Sequence, residues 1–282
     1  MVSTLVEERR LRDSPFIKNI SNYVVNRQNE EGGYTFCQGA ESNLQDTYYG
    51  LVILSLLKEN FPNIEKTVKF VDDARLDSIY STYYVTKASL LTGKSIGAKL
   101  KKRLLLILNS KKYFGSTDFF SEVSSEFTTT LMALELAHLL QININTEEAA
   151  NWLLTFRNDD GGFGTQGQSN INSTYYAVAS MNLINPSLND LHETAKFVRA
   201  CEKTYGGFTV IPINYAPYME HTYYGVMTLD LLGEQSLYPA QTIDWVLKCQ
   251  RRNGGFARSD LGISTFLDTY YAITILQKLE IL

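Results

Sequence analysis

His221-Thr222-Tyr223-Tyr224-Gly225-Val226-Met227-Thr228-Leu229-Asp230-Leu231 opens on one residue followed by Thr-Tyr-Tyr and continues as a mostly apolar run. The same signature recurs as Asp46-Thr47-Tyr48-Tyr49, Ser81-Thr82-Tyr83-Tyr84, Ser173-Thr174-Tyr175-Tyr176 and Asp268-Thr269-Tyr270-Tyr271. A sixth copy is Glu126-Phe127-Thr128-Thr129, because Leu131-Met132-Ala133-Leu134-Glu135-Leu136 aligns without gaps on Val226 to Leu231. The copies stand 35, 45, 47, 48 and 47 residues apart. A near-constant period of this size marks a repeat architecture.

A second marker runs in phase. Gly32-Gly33-Tyr34, Gly161-Gly162-Phe163, Gly206-Gly207-Phe208 and Gly254-Gly255-Phe256 each precede a tyrosine pair by a similar distance. Before each Gly-Gly lies an amphipathic segment, Phe16 to Arg27, Glu147 to Phe156, Leu191 to Glu202 and Thr242 to Arg251, with one apolar stripe and a charged face. The segments after Thr-Tyr-Tyr have little polar face, as expected of helices buried all round. Each unit therefore reads as an outer helix, ended by a positive-φ glycine pair, and an inner helix. Units two and three carry Asp72 to Leu76 and Lys111 to Gly115 where the glycines would stand, and their connections should differ.

An open array of hairpins needs polar terminal caps. The last unit, Asp268 to Leu282, is as apolar as the middle ones. The expected fold is thus an all-α, α6/α6 toroid, six inner helices in a ring of six outer ones, built from residues 1–282 with 1–13 as a loose arm.

Composition narrows the function classes. Net charge is −4, which disfavours a nucleic-acid partner. Cys37, Cys201 and Cys249 show no CxxC spacing, and Met1 to Arg12 has no apolar leader, so a reducing, cytoplasmic setting is expected. No apolar run is long enough to form a transmembrane segment.

The segment Gln250-Arg251-Arg252-Asn253-Gly254-Gly255-Phe256 has the form Gln-x3-Gly-x-aromatic, repeated at Gln28 to Tyr34 and, with the first position changed, at Arg157 to Phe163 and Glu202 to Phe208. This resembles the repeat of protein prenyltransferase β subunits and squalene/oxidosqualene cyclases. The resemblance implies an α6/α6 barrel whose apolar cavity holds an isoprenoid. It also implies a prenyl diphosphate as substrate and a helical-repeat, α-subunit-like partner. Pro217-Tyr218-Met219-Glu220-His221-Thr222 looks like the unit that carries the family's zinc-binding histidine, so His221 carries over as a metal ligand. The family's Asp-x-Cys-Tyr ligands do not: the preceding unit has Ser173 and Tyr175 in that register. Nor is the cyclases' Asp-x-Asp-Asp motif present, since Asp72-Asp73 follows Phe70-Val71.

The residues themselves suggest further candidates. Asp46, Ser81, Glu126, Ser173, His221 and Asp268 head the six copies and should ring one mouth of the barrel. Asp and Ser there can cap helices or serve chemistry. Closure sets units five, six and one side by side, so His221, Asp268 and Asp46 could hold zinc, with Cys37 as a fourth ligand; magnesium is the other metal considered. Asp268, Asp46 and Glu126 are the candidate catalytic acids of a terpene-cyclase-like alternative. Helix N-termini at the mouth favour a diphosphate, with Arg258 the best placed cation. Tyr48, Tyr83, Tyr175, Tyr223 and Tyr270 are the expected substrate-binding wall, one tyrosine of each pair facing the lumen squarely and the other filling space between the layers. Gly50, Ala177, Gly225 and Ala272 read as sites of close helix approach, and Cys201 and Cys249 as core. The leading expectation is a prenyltransferase; the alternatives are a cyclase and a non-catalytic toroid that binds a lipid or peptide.

Overall fold

The computed structural model describes residues 14–109, 126–142, 146–184 and 191–282. The expected N-terminal arm at 1–13 and the expected connection at Lys111 to Gly115 lie outside them. Twelve helices occur among the described residues. They are α1 (Pro15–Val25), α2 (Leu44–Leu56), α3 (Ile64–Asp72), α4 (Ile79–Leu91), α5 (Ala98–Asn109), α6 (Glu126–Leu139), α7 (Thr146–Leu154), α8 (Ile171–Ile184), α9 (His192–Cys201), α10 (Met219–Leu231), α11 (Pro239–Lys248) and α12 (Phe266–Lys278). A two-residue ladder, β1 (Phe256–Ala257) with β2 (Ser264–Thr265), precedes α12.

The even-numbered helices form the inner layer. α2 packs on α4, α4 on α6, α6 on α8, α8 on α10 and α10 on α12, and α12 returns to α2. The ring is closed. Equivalent residues of successive units stand side by side, as Tyr175, Tyr223 and Tyr270 do, so the inner helices run parallel. The odd-numbered helices flank them outside.

The two sequence markers are the two halves of one joint. In four units the buried aromatic after Gly-Gly donates its backbone N–H to the threonine of Thr-Tyr-Tyr: Tyr34 to Thr47 (3.0 Å), Phe163 to Thr174 (3.0 Å), Phe208 to Thr222 (3.1 Å) and Phe256 to Thr269 (2.9 Å). Each threonine Oγ1 also donates to the carbonyl four residues earlier, as Thr269 does to Thr265 at 2.6 Å. The hydroxyl satisfies a buried backbone N–H that would otherwise lack a partner. Tyr34, Phe163, Phe208 and Phe256 are fully buried, each worth about 2–3 kcal/mol of apolar transfer.

The glycines act differently from the expected helix caps. α1 ends with Asn26 as C-cap, six residues before Gly32, and α11 with Cys249, five before Gly254. Gly32, Gly161, Gly206 and Gly254 do take positive φ (96°, 82°, 100° and 95°), but within a loop pressed on the next outer helix. A Cβ on Gly32 would meet Lys66 of α3, on Gly161 Glu193 just inside α9, on Gly206 Gln241 of α11, and on Gly254 Asn19 of α1. Positive φ and backbone proximity together leave room only for glycine. The last pair sews unit six to unit one.

Two further expectations need correction. Helix capping falls three residues before the positions named for it: Asn43, Ser78 and Thr265 accept from the N–H groups of Asp46, Ser81 and Asp268. A fourth side chain, Asn170, accepts from Ser173 N–H at 2.9 Å. Gly50 and Gly225 are small chiefly because the loop aromatic of their own unit lies on them: a Cβ on Gly225 would sit 2.3 Å from the Phe208 ring, and one on Gly50 3.1 Å from Tyr34, with Val24 of α1 at 3.5 Å. Cys201 and Cys249 are core, and burial pushes both thiols up to about 12.

Candidate functional site: a tyrosine-walled lumen

The ring encloses a cavity of about 570 Å³ to which all six inner helices contribute. That is within the range, roughly 300–1,000 Å³, of pockets that bury small organic ligands. All ten tyrosines of the five pairs line it, together with Tyr80. The expectation that half of them only fill space between layers is thus overturned. Where tyrosine pairs of successive units adjoin, rings of one unit lie against those of the next, and both members of each pair keep lumen contact. Tyr175 stacks on Tyr224 (4.9 Å, 22°) and Tyr223 on Tyr271 (4.3 Å, 27°).

Their hydroxyls form two short chains along the wall. Tyr176, Tyr224 and Tyr271 are linked at 2.7 and 3.1 Å; Tyr175, Tyr223 and Tyr270 at 3.4 Å each. On the other side Tyr48 packs against Tyr84, and Tyr49 against Tyr270, so the aromatic wall spans five inner helices, while α6 contributes Thr128, Leu131, Met132 and Glu135. Burial raises the hydroxyl pKa of Tyr49, Tyr83, Tyr223, Tyr224 and Tyr271 well above the usual value, so they stay protonated donors at neutral pH.

Three charged side chains enter the lumen, and single-residue inspection of the sequence had no motif to single them out. Glu135 of α6 accepts from Tyr83 Oη at 2.8 Å and pairs with Lys87 Nζ of α4 at 2.9 Å. Glu220, the second residue of α10, pairs with Arg258 at 2.6 Å and with His221 Nε2 at 3.2 Å. The His221 hydrogen bond and the Arg258 charge hold the Glu220 carboxyl below the usual range, against the opposing effect of burial. Arg258 itself does not line the cavity; it is half exposed and lies 4.2 Å over the Tyr218 ring. Its charge is already matched by Glu220.

None of the residues heading the repeats lines the lumen, and Asp46 and Asp268 turn to the joint. Asp46 accepts from Phe36 N–H at 3.1 Å and Asn43 Nδ2 at 2.9 Å. Asp268 accepts from Thr265 Oγ1 at 2.7 Å. Neither lines the cavity, nor does Glu126. Burial raises Asp46, and it raises Asp268 from its ordinary value to about 6, with the Glu220 charge adding to it and Arg258 and Thr265 opposing. The three candidate catalytic acids thus stand outside the chamber lining.

The zinc set fares likewise. Asp46, His221 and Asp268 are each engaged by their own neighbours, and Cys37 is an exposed free thiol. Among the described residues no group of three His, Cys, Asp or Glu side chains could hold a metal ion. His221 Nδ1 is buried without a hydrogen-bond partner there; one imidazole nitrogen is not a zinc site. The helix N-termini are also less open to an anion than expected. Asn43, Ser78 and Thr265 take first-turn N–H groups of α2, α4 and α12, while Val210 O and Arg258 O accept from Ile171 and Met219, the first residues of α8 and α10.

A closed ring of parallel inner helices around an axial, aromatic chamber defines an α/α toroid. The chain belongs to the prenyltransferase alpha-alpha toroid domain family, whose model matches residues 1–79, 75–217 and 213–281. Among solved structures it is similar to a chain of Candida albicans protein geranylgeranyltransferase-I complexed with GGPP. Identity there is 18%, the TM-score 0.67, and the likeness covers 94% of this chain and 92% of that one. It is also similar to a variant of the type II terpene cyclase MstE from Scytonema, in complex with its substrate geranylgeranyl dihydroxybenzoate. That match has 13% identity and a TM-score of 0.63, over 94% of this chain and 96% of the other. At such identities the likeness concerns the fold. No curated protein matches the sequence.

Proposed function

We propose that the lumen takes the hydrocarbon chain of an isoprenoid and that the protein transfers the prenyl group of an allylic diphosphate to an acceptor. The observation that carries this reading is the chamber itself, about 570 Å³ and walled by the tyrosine belt. Its ring faces bury an unsaturated chain and can stabilise positive charge developing at the allylic carbon as the carbon–oxygen bond to diphosphate breaks. The relatives are consistent with it: one binds GGPP, another a geranylgeranyl substrate.

The diphosphate belongs outside the belt. Lys87 is the one cation among the described lumen residues, and it is paired with Glu135. Arg258, at the rim beside Glu220, supplies one positive charge. A helical-repeat partner chain would bring others, and magnesium would enter as the counter-ion of the diphosphate. The described residues offer no set that fits zinc. A cytoplasmic setting is in keeping with the free thiols, and no helix among the described residues is long and apolar enough to cross a membrane.

Native mass spectrometry with farnesyl and geranylgeranyl diphosphate tests the reading. One bound isoprenoid per chain, with diphosphate released once an acceptor is added, is the expected result. No bound isoprenoid would overturn it; binding without release would leave a lipid-binding toroid.

A further inference from the structure

Lys87 and Glu135 make the lumen locally unlike the rest of the belt. In the register of Lys87 the other five units carry Val52, Met132, Ala179, Met227 and Thr274, none of them charged. The pair sits below the Tyr83 ring, about a quarter exposed to the chamber, with Lys87 Nζ 5.3 Å from that ring's centre. In a chamber meant only for hydrocarbon, an apolar pair of similar volume would do as well or better, because two charges lose solvation there.

The bonding capacity left over is specific. Glu135 Oε2 accepts from both Tyr83 and Lys87, and its Oε1 has no partner among the described residues. Lys87 gives one N–H to Glu135 and, as a residue lining the chamber, has donor capacity left there. A donor thus stands beside an acceptor. A diphosphate would meet the Glu135 charge, and a bare hydrocarbon terminus would leave Glu135 Oε1 and the spare Lys87 N–H groups unmatched. A hydroxyl, which donates and accepts at once, matches both.

Resting on the isoprenoid reading, we propose that Lys87 and Glu135 form a subsite for a hydroxyl group on the isoprenoid chain. The ligand class is then an isoprenoid alcohol, or a prenyl diphosphate whose chain is oxygenated away from its reacting end.

The test compares binding of farnesol and its hydrocarbon counterpart farnesene to the full chain, by quenching of tyrosine fluorescence and by native mass spectrometry. The wild type should bind farnesol about tenfold or more tightly than farnesene. In a Lys87→Met/Glu135→Leu double variant that ratio should fall to about one, with farnesene binding retained. Glu135→Gln, which keeps the shape of the pair, should lower it severalfold. Equal binding of the two ligands by the wild type would overturn the subsite and leave the isoprenoid lumen standing. A preference that survives in the variants would overturn the assignment to this pair. Binding of neither ligand would remove the isoprenoid reading and the subsite with it.

Discussion

Gly254 rests against the backbone of Asn19 so closely that a Cβ added to it would lie 2.0 Å from the Asn19 carbonyl oxygen. This contact joins the last repeat to the first outer helix, and Gly255, under the Tyr23 ring, extends it. Gly254→Ala adds both a positive-φ strain and a clash with backbone that cannot swing aside. The expected loss is on the order of 3 kcal/mol in urea unfolding. Gly97→Ala, where a Cβ meets nothing within 4 Å, should stay within about 0.5 kcal/mol. Similar effects from both would mean the seam carries no special load.

Thr269→Val keeps the shape of the joint but removes the acceptor of the buried Phe256 N–H. An orphaned buried donor costs about 1–3 kcal/mol. Thr86→Val removes only a hydroxyl bonded to its own helix and should cost less than about 1 kcal/mol. Thermal melts of the two variants, compared with the parent, check the ranking.

Asp268 gives stability a definite pH dependence. Its carboxyl is raised from 3.8 to about 6 in the folded chain, chiefly by burial. The folded state therefore binds the proton more tightly than the unfolded one. This contribution is fully present below about pH 4 and is lost as pH rises toward 6. Asp268→Asn removes it. The stability difference, variant minus parent, should grow by on the order of 2 kcal/mol between pH 4 and pH 7. A difference that is flat with pH would show that Asp268 titrates normally.

Glu220 neutralises Arg258 at the rim of the chamber. Glu220→Gln leaves that guanidinium without its counter-charge and should tighten geranylgeranyl diphosphate binding severalfold, while Arg258→Ala should weaken it by a similar factor. Calorimetric titration at low and moderate salt checks both signs, since the effect should shrink as salt rises. Opposite signs would remove Arg258 from any role with the diphosphate.

The fold was legible because its joint is written in two places at once. Thr47, Thr174, Thr222 and Thr269 must sit where the loop aromatic needs an acceptor, and the paired glycines must sit where one unit meets the next. Both constraints repeat with the unit and so show as a period. The site was less legible. Residues such as Asp46 and Asp268 head the motif, yet their place in the first helical turn folds them back toward the loop and their own caps. Glu135, Lys87 and Glu220 occupy ordinary helix positions, and only the inward face of the ring gives them meaning. The tyrosine pairs were readable as aromatic wall, but not the lumen contact that both members of each pair keep.

Return of α12 to α2 leaves no terminal hairpin to peel away. In a linear stack the end unit can fray by breaking one interface; here any unit that leaves must break two, and doing so opens a seam through the whole chamber. Loss of ligand space and loss of structure should therefore coincide, so that partly unfolded molecules would be unable to retain a bound guest.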